Sequence, residues 1–210
     1  MNLTSAVATE VAVRRRYGDP VTRELWDREA SRFDEEPDHG LADPQVRAAW
    51  CELLLLVLPT APARVLDVGC GTGTLTRLLV DEGFAVDGLD FSPQMVRRAR
   101  AKVSEARFVV GDASAPPLAP ASYDVLLSRH VLWAMPDPAA ALGRWVDLLE
   151  PPGTLVLVEG RWGTGAGLTA REAEAVVRTR RKHVEVRHLP ESVYWGKDVD
   201  DERYVLVSRA

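Results

Sequence analysis

The chain has 210 residues, 46% of them hydrophobic and 27% charged, with a formal net charge of −5, which allows one full α/β core and leaves no room for a second. The acidic balance argues against nucleic acid, whose binders carry a basic surface, and the longest apolar run of the first sixty residues, Leu53 to Leu58, is too short to cross a bilayer. No charged-then-apolar leader opens the sequence, so a cytoplasmic protein is expected, with neither a membrane nor a nucleic-acid partner.

Residues 1 to 18 carry Arg14-Arg15-Arg16 and no readable periodicity. From Thr22 to Phe33 the spacing of Leu25, Trp26, Glu29 and Phe33 predicts a helix with one shared face. An acidic stretch follows, Asp34-Glu35-Glu36-Pro37-Asp38. Asp43 as N-cap and Pro44 at the first helical position open a second helix, whose Val46, Trp50, Leu53, Leu54 and Val57 are expected to pack on a sheet edge. From Arg64 onward strands and helices alternate, which predicts parallel pairing with helices on both faces. The strands are read at Val65–Val68, Ala85–Asp90, Arg107–Val110, Tyr123–Ser128 and Thr154–Glu159, and Ser92-Pro93 and Asp137-Pro138 mark helix starts. A glycine-rich loop over residues 160 to 167, a helix from Thr169 to Lys182 and two last strands near Val184–Leu189 and Tyr204–Ser208 complete the chain. Cys51 and Cys70 are too few for a disulfide framework and are expected to be free thiols. Arginine outnumbers lysine 23 to 3 and isoleucine is absent, a bias that points to a high-GC, bacterial coding sequence.

The run Val65-Leu66-Asp67-Val68-Gly69-Cys70-Gly71-Thr72-Gly73 reads as a buried strand emptying into a glycine-rich turn that opens a helix. Its glycines let the backbone turn sharply and a ligand approach closely. A dinucleotide loop places its third glycine three residues after the second; here that position is Thr74. Instead Asp67 lies two residues before the first glycine, and Asp90 closes the next strand. Two carboxylates so placed ask for amine and hydroxyl groups on a ligand rather than a pyrophosphate.

This pattern resembles the first motif of the class I S-adenosylmethionine-dependent methyltransferases, hydrophobics followed by D-x-G-x-G-x-G. Three further landmarks fall in that family's order: Asp90, Gly111-Asp112-Ala113 after the third strand, and Tyr123 to Ser128 as the fourth. The likeness spans residues 65 to 158 and is to small-molecule enzymes with a core of the bacterial ubiquinone/menaquinone methyltransferase type. It implies a Rossmann-like three-layer α/β sandwich with a seven-stranded, mostly parallel sheet in the order 3-2-1-4-5-7-6. It also implies a single methyltransferase domain over 1–210, with an N-terminal helical lid in residues 1–60 and the cofactor-binding core in 61–210. The implied cofactor is S-adenosyl-L-methionine, leaving as S-adenosyl-L-homocysteine.

At matching positions the resemblance puts Asp67 and the Gly69 carbonyl near the methionine ammonium, and the helix start around Thr72 to Thr74, which favours an anion, near its carboxylate; Cys70, Gly71, Thr72 and Gly73 all count as cofactor-binding residues of the turn. Asp90 is suited to the ribose hydroxyls, Asp112 and Ala113 to the adenine edge, and Phe91 and Met95 to the ring face. Ligands gather beyond the carboxyl ends of strands in open α/β sheets, which draws attention to Ser128-Arg129-His130 and Trp133. His130 is the candidate general base, since an imidazole titrates near neutrality. Arg129 suits a carboxylate of the cofactor or of an acidic acceptor, or equally a structural tie to the N-terminal helix, and Trp133, His39 and Arg161 are candidate acceptor contacts. The pattern Trp26-Asp27-x-x-Ala30-x-x-Phe33-Asp34 resembles a segment that folds over the cofactor in many small-molecule methyltransferases, where aromatic rings near a sulfonium gain cation–π attraction.

The expected reaction is methyl transfer to oxygen or nitrogen of a small-molecule acceptor, in specialised metabolism; the acidic lid favours a cationic or neutral acceptor. No metal is expected, because His39, His130, His183 and His188 lack ligand spacing. Two other readings stay open: a noncatalytic module that only binds the cofactor, and a nicotinamide-dependent oxidoreductase, against which Asp67 and Thr74 both count.

Overall fold

The computed structural model describes residues 22–209; the Arg14-Arg15-Arg16 run lies outside them. Seven strands form one sheet: β1 (Arg64–Val68), β2 (Ala85–Asp90), β3 (Arg107–Val110), β4 (Tyr123–Arg129), β5 (Leu149–Arg161), β6 (Glu185–His188) and β7 (Glu202–Ser208). Their order is 3-2-1-4-5-7-6, as expected. Pairings from β3 through β5 are parallel, and β7 runs antiparallel to both β5 and β6. The helices are α1 (Arg23–Glu29), α2 (Pro37–Gly40), α3 (Pro44–Val57), α4 (Thr74–Asp81), α5 (Pro93–Lys102), α6 (Pro138–Asp147) and α7 (Ala170–Arg178).

Side-chain alternation along the strands divides the core between two faces. On one, Val65, Val125, Val156, Val158, Val205 and Val207 meet Trp50, Leu53 and Leu54 of α3 and Leu75, Leu78 and Leu79 of α4. On the other, Leu66, Leu126, Leu155, Leu157 and Leu206 meet Leu142 and Trp145 of α6 and Ala173 and Val177 of α7. Helix α5 covers the β2–β3 end, its Val96 and Ala99 clustering with Phe108 of β3. The expected caps are in place: Asp43 accepts from Gln45 N and Val46 N, Ser92 from Met95 N and Asp137 from Ala140 N. Thr169 and Glu172 form a reciprocal capping box.

Four expectations are corrected. The first helix ends at Glu29, and Phe33 belongs to a separate 3₁₀ turn, Phe33–Glu35, which brings its ring against Gly71. Helix α3 lies on a sheet face rather than at its edge, since its buried stripe is wide enough to cover several strands. Strand β5 begins at Leu149, before Pro151-Pro152-Gly153, and α7 stops at Arg178, short of Lys182.

Candidate active site

The glycine turn after β1 is shaped by what leans on it. Gly69 and Gly71 have φ of +72° and +54°, a region open mainly to glycine. A Cβ on Gly69 would lie 2.2 Å from Val131 Cγ2, and one on Gly71 3.3 Å from the Phe33 ring. Asp90 secures the turn from β2: its Oδ2 accepts from Gly71 N at 2.9 Å and its Oδ1 from Ser92 N at 2.8 Å. Asp67, at the end of β1, accepts from Thr76 Oγ1 at 2.7 Å. Burial pushes both carboxyls up to about 6. The Cys70 thiol, also buried, is raised well above its ordinary range by the same desolvation and is thereby unreactive.

Two carboxylates of the N-terminal segment fasten it over these loops, and sequence reasoning missed both. Asp27 accepts from Ser92 Oγ and, at 3.1 Å, from Gln94 N at the start of α5. Asp34 accepts from Thr72 Oγ1 and pairs with Lys102 Nζ at 2.8 Å, and Lys102 also donates to Thr74 Oγ1 at 2.8 Å. The signal was present in the spacing, since these acids follow the two aromatic residues Trp26 and Phe33 at the same interval. The Trp26 and Phe33 rings meet edge to face at 6.0 Å, and Phe33 stacks on His39 at 4.3 Å.

The carboxyl end of β4 supplies the opposite wall. Arg129 is held over the Trp50 ring at 5.1 Å and donates to the Asp38 carbonyl at 2.6 Å. Among the described residues no carboxylate lies within ion-pair distance of it, although the residue is half-buried and desolvation lowers its pKa from the usual range. The next residue, His130, has φ of +62°. This left-handed residue breaks strand alternation, so its ring joins Arg129 on the same side, 6.0 Å from Trp195 and 5.1 Å from Trp162. Both ring nitrogens are buried without a partner. Burial and the nearby Arg129 and Arg203 hold the imidazole well below its usual range, so it is uncharged at neutral pH.

The turn that follows is clamped by Glu159 of β5, whose Oε1 accepts from Val131 N at 3.1 Å and Leu132 N at 2.8 Å. Burial pushes this carboxyl up to about 8, so at pH 7 it is mostly a neutral acid. A folded-state value above the unfolded one means that the native protein holds the proton more tightly. Stability therefore falls as pH rises from about 4.5 to about 8 and levels off above. Between pH 6.5 and 8, where Asp67 and Asp90 contribute little, the protein is expected to lose about 1–2 kcal/mol in urea unfolding. Glu159→Gln should flatten that slope; an unchanged slope in the variant would mean that another group carries it.

These walls enclose a cavity of about 580 Å³, within the range of small-molecule sites. It is lined by most of the candidate residues: Trp26, Phe33, His39, Asp67, Gly69, Cys70, Gly71, Thr72, Asp90, Phe91, Met95, Asp112, Ala113, Arg129, His130 and Trp133. Asp112 keeps Oδ1 on Ser114 N, and the Ala113 carbonyl accepts from Trp145 Nε1. Three candidates lie elsewhere. Ser128 is fully buried, its hydroxyl donating to the Val68 carbonyl, and so ties β4 to β1. Gly73 faces α5, where its Cβ would lie 3.0 Å from that of Ala99. Arg161 shares the Glu159 side of β5 by alternation and donates to the Gly167 carbonyl, away from the cavity. The structure adds Trp162 and Arg203 to the lining; neither stands in a motif. Among the described residues no group of histidine, cysteine, aspartate and glutamate could hold a metal ion, and no helix is long and apolar enough to cross a membrane.

Comparison with known proteins places this geometry. Residues 66–157 match the family model described as a methyltransferase domain. The chain is 33% identical over 136 residues to demethylmenaquinone methyltransferase of Renibacterium salmoninarum, covering 64% of this chain and 56% of that protein. It is 33% identical over 163 residues to trans-aconitate 2-methyltransferase of Streptomyces avermitilis, covering 73% and 58%. The matches thus span little more than half the length of these relatives. The fold is shared with N-methyltransferase NodS of Bradyrhizobium japonicum, solved in complex with S-adenosyl-L-homocysteine, at a TM-score of 0.68 and 21% identity over 88% of this chain and 97% of that one. By its strand order, its Asp67 glycine turn and these relatives, the chain belongs to the class I S-adenosylmethionine-dependent methyltransferases.

Proposed function

We propose that the protein transfers a methyl group from S-adenosyl-L-methionine to oxygen or nitrogen of a small-molecule acceptor, in the cytoplasm and without a nucleic-acid partner. The observation that carries the reading is the pairing of opposite charges in one cavity: buried Asp67 for an ammonium, and half-buried Arg129, with no carboxylate within ion-pair distance among the described residues, for a carboxylate. A zwitterionic amino acid satisfies both. Asp90 retains free lone pairs on both oxygens for a ribose diol, Asp112 and the Ala113 backbone stand where a purine edge would lie, and Phe91 and Met95 supply its apolar face.

When bound, the cofactor supplies an electrophilic methyl group on a sulfonium. The protein then has mainly to align the acceptor atom with that carbon and to exclude water. Trp26, Phe33 and His39 close the lid side, while Trp133 and Trp162 wall the acceptor side. Uncharged His130, its ring nitrogens free of partners, is placed to take the proton of a hydroxyl or ammonium acceptor. His130→Ala is expected to lower turnover by about 10²-fold while S-adenosylhomocysteine affinity holds; an unchanged rate would remove the role.

The reading is tested by thermal unfolding with S-adenosylmethionine, S-adenosylhomocysteine and NAD. Ligand at about 100 times its Kd adds roughly 2.7 kcal/mol, so stabilisation by the first two alone is expected. Stabilisation by NAD alone, or by none of the three, would overturn it.

A further inference from the structure

One cation on the acceptor wall has no part in the roles above beyond its charge beside His130. Arg203 of β7 stands opposite Gly160 of β5, and a Cβ on Gly160 would lie 2.9 Å from the arginine Cδ. A glycine at that register clears the path by which the side chain reaches the cavity. The guanidinium lies 4.7 Å from the Trp195 ring and 5.8 Å from the Trp162 ring. Asp201 accepts from its Nε and Nη2, which fixes the fork, and Nη1 has no hydrogen-bond partner among the described residues. The residue is only 9% exposed and still lines the cavity. A guanidinium held this way loses little freedom when its remaining edge takes a ligand.

The lid does not offset this charge. Asp34 is engaged by Lys102, the Asp38 carboxylate lies 3.9 Å from His39, and Glu36 lies 3.6 Å from Lys197. Two acids of the run that favours a cationic acceptor in the sequence, Asp34 and Glu36, are thus paired with lysines within the protein, whereas Asp38 has beside it a His39 that burial keeps toward its neutral form. Beside Arg203, the indoles of Trp133 and Trp162 meet edge to face at 5.5 Å, giving flat apolar walls next to the charge.

We propose that Arg203 selects an acceptor bearing a carboxylate on a flat, unsaturated frame, with the carboxylate at its Nη1 edge and the frame against Trp133 and Trp162. The inference rests on the methyl-transfer reading and narrows its acceptor class. A carboxylate there accepts a charge-assisted hydrogen bond from Nη1 of a guanidinium whose other edge is paired with Asp201, whereas an amine would bring donors against a donor.

The test is calorimetric titration of 4-hydroxybenzoate, 4-hydroxybenzyl alcohol and 4-hydroxybenzylamine into the S-adenosylhomocysteine-saturated protein and into the ligand-free protein. The carboxylate is expected to bind at least about tenfold more tightly than the other two. Arg203→Met should erase that preference while leaving S-adenosylhomocysteine affinity unchanged, and Arg203→Lys should keep part of it. Equal or reversed preference in the wild type, no binding of the benzoate, or a preference that survives Arg203→Met would overturn the proposal. Should Arg203→Met not fold, the wild-type preference and Arg203→Lys decide. Failure of S-adenosylhomocysteine to bind would instead strike the methyl-transfer reading, and the ligand-free titrations would still judge Arg203.

Discussion

Asp90→Ala is expected to weaken S-adenosylhomocysteine binding by at least about 100-fold, the largest loss of affinity among single substitutions in the cavity. Asp90 acts twice. It holds the glycine turn through Gly71 N and the α5 entry through Ser92 N, and its remaining lone pairs face the cavity. Hydrogen bonds to a charged group contribute about 1.5–3 kcal/mol each, so losing two from a diol amounts to about 3–6 kcal/mol, and 2.7 kcal/mol already corresponds to about 100-fold. Titration calorimetry on the folded variant measures this, with Asp90→Asn as the companion that keeps the shape and drops the charge. An affinity within threefold of wild type would place the diol elsewhere.

Trp50→Ala is expected to have the largest effect on stability, about 3–5 kcal/mol from the cavity alone. Trp50 is fully buried on α3 and donates from Nε1 to the Tyr194 carbonyl at 2.7 Å. Its ring meets Trp195 edge to face at 5.6 Å and carries Arg129 on its face. Removing it would open a void and orphan a buried carbonyl, and Arg129 would lose its support. Against a typical total of 5–15 kcal/mol, the variant should show a sharply lowered urea midpoint. A midpoint close to wild type would mean that α3 closes the gap by collapsing onto the sheet.

Local signals made the frame of the molecule readable in advance. Period-two apolar runs, proline after a capping residue and glycines at fixed offsets each act over a few residues, and Ser92-Pro93, Asp137-Pro138 and the Asp67 turn lie where they were expected. What escaped depends on contacts between distant parts. Nothing near Arg203 in sequence signals that Trp162, Trp195 and Gly160 will meet it. Lys102 looks like any basic residue in a last helical turn until Asp34 arrives from 68 positions away. His130 stood out by its place after β4, but its direction comes from one left-handed residue that propensity does not reveal. Arg161 was misjudged for the opposite reason, because strand alternation carries it to the far side of β5.

The two fastenings of the N-terminal segment differ in kind. Asp27 is held by a hydroxyl and a backbone amide, contacts that dissolved ions disturb little. Asp34 is held by the Thr72 hydroxyl and also by the partly exposed ammonium of Lys102, an attraction that ionic strength screens over a Debye length of about 8–10 Å. Raising salt is therefore expected to weaken the hold on the Phe33 end, which keeps its Thr72 hydroxyl contact, more than the hold on the Trp26 end.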